Sequence, residues 1–177
     1  MNSDDSTQAD WIKSVMERHA APLTRYAMLI TSDLERARDV VQDTFVKLCD
    51  EKRSRVEPHL AQWLFKVCRN RALDVQRKES RMTTLTEIEM NSRPSAEPSP
   101  AMVAEQRETT SEILRLVATL PKNQQEVVRL KFQNDLSYQE ISAITNLTVT
   151  NVGFLIHTAI KNLRQQLQSK DGLATKL

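Results

Sequence analysis

Glycine and aromatic side chains are scarce in this 177-residue chain: 2 Gly in all, with Phe, Trp and Tyr together at 5%. Both shortages weigh against a sheet protein, which leans on glycine for its tight turns and on aromatics for its strands. Cysteine is equally sparse. Cys49 and Cys68 have neither CxxC spacing nor a nearby pair of histidines, so a zinc site has no support. Both fall within helical patterns and read as reduced, half-buried thiols of a cytoplasmic protein. No apolar run approaches the roughly 20 residues that a bilayer-spanning helix needs. The opening MNSDDSTQAD is polar and acidic, unlike a secretory leader. The 3 histidines are scattered, there is no Gly-rich phosphate loop, and no nucleophile sits with a base. An enzyme is therefore not expected, and neither catalytic residues, metal nor cofactor are assigned.

What the chain has instead is Leu, Ala, Gln, Glu, Arg and Lys, all strong helix formers, and 40% hydrophobic residues to build a core. The expected class is all-α, as one domain or two small ones. The net charge of +2 hides a segregation. Residues 1–50 balance at −3, residues 51–82 at +5, residues 83–120 at −3 and residues 121–177 at +3. Two separate cationic stretches suit a protein that touches a polyanion at two places.

Hydrophobic periodicity predicts four helices before residue 80. Asp10 to about Ala20 carries Trp11, Ile12, Val15, Met16 and His19, the last on an apolar stripe. A second helix opens with Pro22 in its first turn and presents Leu23, Tyr26, Ala27 and Ile30. After the cap cluster Thr31-Ser32-Asp33, a third runs to about Asp50. It buries Leu34, Ala37, Val41, Phe45 or Thr44, and Leu48, and shows Arg38, Asp39, Gln42, Asp43 and Lys47. The charged loop EKRSRVEPH leads to the fourth, Leu60 to about Lys78. From Arg81 to Pro100 the periodicity fades among three prolines, which reads as a flexible linker. Beyond it, Ala101–Thr119 is predicted helical with Ile113, Leu114, Val117 and Leu120 toward a core. Lys122–Gln133 follows with Val127, Val128, Leu130 and Phe132. The expected domains are 10–80, a linker 81–100, and 101–170.

Two stretches carry chemistry. In Leu136–Leu167, Ser137 and Glu140 have capping-box spacing, Asn146 stands where a turn needs left-handed backbone, and Thr148 can cap the next helix. Val152, Leu155 or Ile156, Ala159 and Leu163 then recur at helical spacing. This is a helix-turn-helix pattern with its second helix offered to a DNA major groove. In Trp63–Lys78, Leu64, Val67, Cys68 and Val75 face a core. Lys66, Arg69, Asn70 and Arg77 share another face, with Arg71 and Lys78 beside them, and such cations contact phosphates. Trp63 and Phe65 offer flat surfaces for stacking on unpaired bases, although Trp63 also completes a core stripe with Leu60, Leu64 and Val67.

Taken in order, three blocks resemble one family. DLERARDVVQDTFVKLCD (Asp33–Asp50), AQWLFKVCRNRALDVQRK (Ala61–Lys78), and LPKNQQEVVRLKF followed by LSYQEISAITNLTVTNV are similar to bacterial RNA polymerase sigma factors of the extracytoplasmic-function (ECF) type. That resemblance implies a region 2 helical bundle and a region 4 helix-turn-helix joined by a linker. It implies that Asp39, Gln42 and Asp43, with Phe45 behind them, dock on the clamp of core RNA polymerase. It assigns Lys66, Arg69, Asn70, Arg71, Arg77 and Lys78 to the −10 element of promoter DNA, and the loop Arg53–His59 to selecting a flipped base. An anti-sigma factor is the further partner implied.

The recognition helix departs from the family pattern, which commonly places a small residue, a Thr and then basic residues near 150–158. Here Gly153, Phe154, Leu155 and Ile156 occupy much of that span. Reading of the −35 element then falls to Thr148, Thr150, Asn151 and His157, with Lys161 and Arg164 toward phosphate; Ile156 is expected in the core. A helix so poor in positive charge leaves a second reading, an adaptor that binds polymerase or an anti-sigma-like partner without reading promoters.

Overall fold

A computed structural model describes residues 3–86 and 113–174, and every regular element among them is a helix. The chain divides into two compact units, Met1–Ala96 and Glu97–Leu177. The division falls inside the stretch expected as a linker. Residues 87–112, which hold most of that linker and the start of the expected Ala101–Thr119 helix, lie outside the described residues.

The first unit comprises α1 (Ser3–Thr31), α2 (Leu34–Cys49), a short α3 (Arg53–Val56) continued by a 3-10 turn (Glu57–His59), and α4 (Leu60–Thr86). The three long helices pack against one another. Leu23, Tyr26 and Ala27 of α1, Ala37, Val40, Phe45 and Leu48 of α2, and Leu64, Phe65, Cys68 and Ala72 of α4 are buried together with Val56. α4 continues past the expected boundary near residue 80. The predicted break at Pro22 does not occur, and α1 runs through it. Proline denies the Arg18 carbonyl its hydrogen bond, a local cost of ~3 kcal/mol. The buried residues that follow at once, Leu23, Tyr26 and Ala27, bind the helix to its neighbours and hold it in line. The Thr24 hydroxyl also donates to the Ala20 carbonyl at 2.8 Å across the same turn.

Between α1 and α2, Ser32 adopts φ 55°, and the Asp33 carboxylate accepts the Arg36 N–H at 2.9 Å as the expected cap. Leu34 was expected in the core but is 45% exposed, because it precedes the buried stripe that begins at Ala37. Two ion pairs tie α2 to α4: Arg36 with Glu79, and Arg71 with Asp43 at 2.6 Å. The Gln76 amide donates to the Ile30 carbonyl at 3.0 Å, fastening α4 to the end of α1. The cysteines differ from one another rather than sharing half-burial: Cys49 is exposed and Cys68 fully buried. Burial pushes the Cys68 thiol up to about 12, so it stays protonated and inert. His19 is half-buried and pushed below its ordinary value by that burial and by neighbouring Arg18, as a packing residue would be.

The second unit contains α5, whose described part spans 113–118, then α6 (Lys122–Phe132), α7 (Tyr138–Thr145) and α8 (Val149–Ala174). Val117, Leu120, Val128 and Ala159 form a buried cluster against which Leu163 packs. The Gln125 amide donates to the Leu120 carbonyl at 2.8 Å and holds the turn around Pro121. Ile113, Leu114 and Phe132, expected to face the core, are 48%, 36% and 61% exposed. Phe132 is the last residue of α6, and burial in the two helices falls on Leu116, Val117, Val127, Val128 and Leu130. No single described helix is both long and apolar enough to cross a membrane.

Candidate polymerase and nucleic-acid interfaces

The outward face of α2 is built by helical spacing alone. With Ala37, Val40, Val41, Thr44, Phe45 and Leu48 turned inward, Asp39 and Gln42 stand exposed on the opposite side. Asp43 is only half-buried, yet its carboxylate is held by Arg71 from α4. Phe45 is 4% exposed and makes no surface of its own; it supports the helix from beneath instead of touching a partner.

On α4, Lys66, Asn70, Arg77 and Lys78 are exposed, while Arg69 and Arg71 are half-buried. The structure therefore separates Arg71 from the expected cationic set: its guanidinium lies on Asp43, 28 positions back in the chain. Phe65 is no stacking platform. It is 2% exposed and meets Tyr26 edge-on, with ring centroids 5.3 Å apart. Trp63 is half-buried.

The segment before α4, expected as a loop, is instead α3 and its 3-10 turn, ordered by a few contacts that sequence reading missed. Val56 is buried like a plug at 1% exposure. The Arg53 guanidinium donates twice to the Glu57 carboxylate, at 3.0 and 2.7 Å, and lies 5.6 Å from the centre of the Trp11 ring. That hydrogen bonding holds the Glu57 carboxyl below the usual range. A bidentate arginine fixes direction as well as distance, leaving Arg55 and His59 on an exposed, pre-shaped rim.

In the second unit the helix-turn-helix forms as its residues dictate. The Ser137 hydroxyl accepts from the Glu140 N–H at 3.3 Å, and the Glu140 carboxylate accepts the Ser137 N–H at 2.7 Å. Asn146 takes φ 60°, the left-handed turn conformation, and the Thr148 hydroxyl accepts the Asn151 N–H at 3.2 Å to start α8. Thr150, Asn151, His157, Lys161 and Arg164 are exposed, as is Thr148. Leu155 and Ile156 are core at 7% and 2%, whereas Phe154 is 65% exposed. Among the described residues, no group of three or more His, Cys, Asp or Glu could hold a metal ion.

Gly153 does not serve a backbone need: its φ is not positive, and an added Cβ would rest 3.5 Å from the Tyr138 ring, an ordinary contact. Gly153→Ala should therefore stabilise the second unit by up to ~1 kcal/mol, the usual helix-interior difference. Thermal melting of the chain would show a raised transition for that unit; a lowered one would mean that the Tyr138 ring cannot share the space.

Residues 15–82 match Sigma-70 region 2 and residues 110–163 match Sigma-70, region 4. The two modules, in this order and each on its own helical unit, define a sigma-70-type protein. Full-length relatives narrow the class. The ECF RNA polymerase sigma factor SigM of Bacillus subtilis is 27% identical over 154 residues, covering 86% of this chain and 93% of the relative. The ECF RNA polymerase sigma factor RpoE of Cereibacter sphaeroides is 26% identical over 186 residues, 93% and 99% of the two chains. In fold, the chain resembles the sigma factor RpoE solved in complex with the anti-sigma factor NepR from Bartonella quintana. The TM-score is 0.63 at 20% identity, covering 88% of this chain and 96% of that one. It likewise resembles CnrH, solved with the cytosolic domain of CnrY, at TM-score 0.57 and 23% identity over 89% and 88%. This chain belongs to the ECF sigma factors.

Proposed function

We propose that this chain is the promoter-specificity subunit of an RNA polymerase, binding the core enzyme and directing initiation at promoters with −35 and −10 elements. It works in the cytoplasm and has no catalysis of its own. The observation that carries this reading is the pairing, in one chain, of a region 2 unit and a region 4 unit with a capped helix-turn-helix. A lone DNA-binding repressor would leave the first unit without a use. The working surfaces are Asp39 and Gln42 for the polymerase clamp, with Asp43 at their edge. Lys66, Asn70, Arg77 and Lys78, with Arg69, serve the −10 region. Thr150, Asn151 and His157 read the −35 region, with Thr148, Lys161 and Arg164 beside them. Transcription reconstituted from purified protein and core polymerase tests the whole: promoter-dependent transcripts are expected, and none from any genomic template would defeat it.

The α4 cations would act through phosphate charge and not through base identity. Replacing both Lys66 and Lys78 with Ala should reduce the slope of log affinity against log salt by ~1.5, at ~0.7–0.9 for each phosphate no longer neutralised. The same start sites should be used throughout. Holoenzyme binding to a labelled promoter at several salt concentrations reads that slope; a change of start site with the slope intact would overturn the assignment.

The adaptor reading rests on one observation, that α8 carries only two cations, Lys161 and Arg164, between residues 149 and 168. It requires that Thr150→Ala with Asn151→Ala leave promoter choice unchanged, whereas promoter reading requires relaxed choice. The sigma factor RpoE of similar fold has been solved in complex with an anti-sigma factor, and an anti-sigma factor covering the α2 and α8 faces is the partner proposed here. Affinity capture from uninduced source cells should recover such a protein; capture of polymerase alone would count against it.

A further inference from the structure

Phe154 carries the one phenyl ring among the described residues of the recognition helix, and it faces outward. It is 65% exposed while the next two residues, Leu155 and Ile156, fill the core. At 3.6 residues per turn, Thr150, Phe154, His157, Lys161 and Arg164 fall within a stripe about 80° wide, with Phe154 on the edge nearer Asn151. The other four are exposed as well. From Val149 to Gln168 the helix has no acidic residue. Within its stripe and flank the ring is thus framed by hydroxyl, amide, imidazole and cationic groups.

We propose that Phe154 is a base-reading residue, its ring packed on the 5-methyl group of a thymine in the upstream promoter element. This rests on the assignment of α8 to DNA. The chemistry follows from what a major groove displays. Three of the four bases offer only hydrogen-bond donors and acceptors there, and a phenyl ring satisfies none of them; thymine alone adds an apolar group that such a ring can cover. Asn151 on the adjoining flank can meet an adenine, so the helix is suited to neighbouring A·T pairs. The placement also answers the shortage of cations. With two lysine or arginine charges in the window, phosphate contacts supply a smaller share of affinity, and apolar contact with a base edge adds affinity that is also specific. A purely apolar protein surface suits the stripe less well, since covering Phe154 would also desolvate Lys161 and His157 beside it.

The test uses holoenzyme and a promoter that it selects from a library randomised upstream of the start site. Each thymine of the upstream element is replaced in turn by deoxyuridine, which removes the methyl group and nothing else. One such replacement should weaken binding by wild-type holoenzyme about 4-fold, the value of one buried methyl group. Holoenzyme carrying Phe154→Ala should bind the parent promoter more weakly and be indifferent to that same replacement. Because the side chain is exposed, the variant should fold as the parent does. The inference is overturned if no deoxyuridine matters to the wild type, or if the variant responds to each as the wild type does. It is equally overturned if Phe154→Ala leaves promoter binding intact and instead abolishes capture of an anti-sigma protein. Selection that survives Thr150→Ala, Asn151→Ala and Phe154→Ala combined would remove DNA reading from α8 altogether, and that result is distinct from a failure of Phe154 alone to meet a base.

Discussion

Phe65→Ala should cost the first unit about 3–5 kcal/mol, the usual range for truncating a buried phenylalanine. Phe65 is among the largest fully buried side chains of the protein, and its edge-on packing with Tyr26 disappears with the ring. A unit of this size has a total stability near the low end of ~5–15 kcal/mol, so most of it goes. Both tryptophans, Trp11 and Trp63, lie in this unit, and their emission reports its unfolding without interference from the other. With a urea slope near ~1 kcal/mol/M, the midpoint should fall by about 3 M or more. Binding to core polymerase should fall with it. The same substitution decides between core and stacking platform: a ring that served only to stack on unpaired bases would leave the midpoint where it was and impair promoter opening alone.

That Phe65 was expected as a stacking surface and is buried instead shows how far the sequence could be read. Helix caps and the helix-turn-helix turn were legible. Ser137, Glu140, Asn146 and Thr148 specify caps and a left-handed turn through groups at most three residues apart, and the structure forms each of them. The same holds for Asp33. Pro22 misled because its rule is local while the forces that override it come from α2 and α4. Phe65 and Phe154 share a different difficulty. Each lies in an apolar run, Trp63-Leu64-Phe65 or Phe154-Leu155-Ile156, where helical period requires that some residue face outward without naming which. The answer depends on where the neighbouring helices lie, and it went opposite ways: Phe65 inward, Phe154 outward. Long-range polar pairing was invisible for a related reason. Nothing in the spacing of Asp43 and Arg71 announces that they meet: helical spacing grouped Arg71 with the phosphate-contacting cations, and resemblance sent Asp43 to the polymerase.

That meeting shapes the last expectation, which concerns how polymerase is held. Asp39→Arg should lower affinity for core polymerase by about 100-fold or more while leaving helix content and urea midpoint unchanged. The residue is exposed, so little folding energy rides on it, but reversing a charge against a complementary surface costs several kcal/mol. Asp43→Ala should behave otherwise. Its carboxylate is already engaged by Arg71 at 2.6 Å, with the two side chains 45% and 36% exposed, and a pair so accessible is worth at most ~1 kcal/mol to the fold. Removing either partner releases the other, so Asp43→Ala and Arg71→Ala should each weaken polymerase binding less than 10-fold. Their double variant should be no worse than the singles, the non-additivity expected of residues that act through each other. A matched measurement on DNA completes the argument: Arg71→Ala should leave the salt slope of promoter binding alone, where Lys66→Ala with Lys78→Ala changes it. If Arg71→Ala instead lowered that slope by ~0.7–0.9, the guanidinium would be leaving Asp43 for a phosphate when DNA arrives. The α2–α4 pair would then be an interaction exchanged on promoter binding and not a fixed strut.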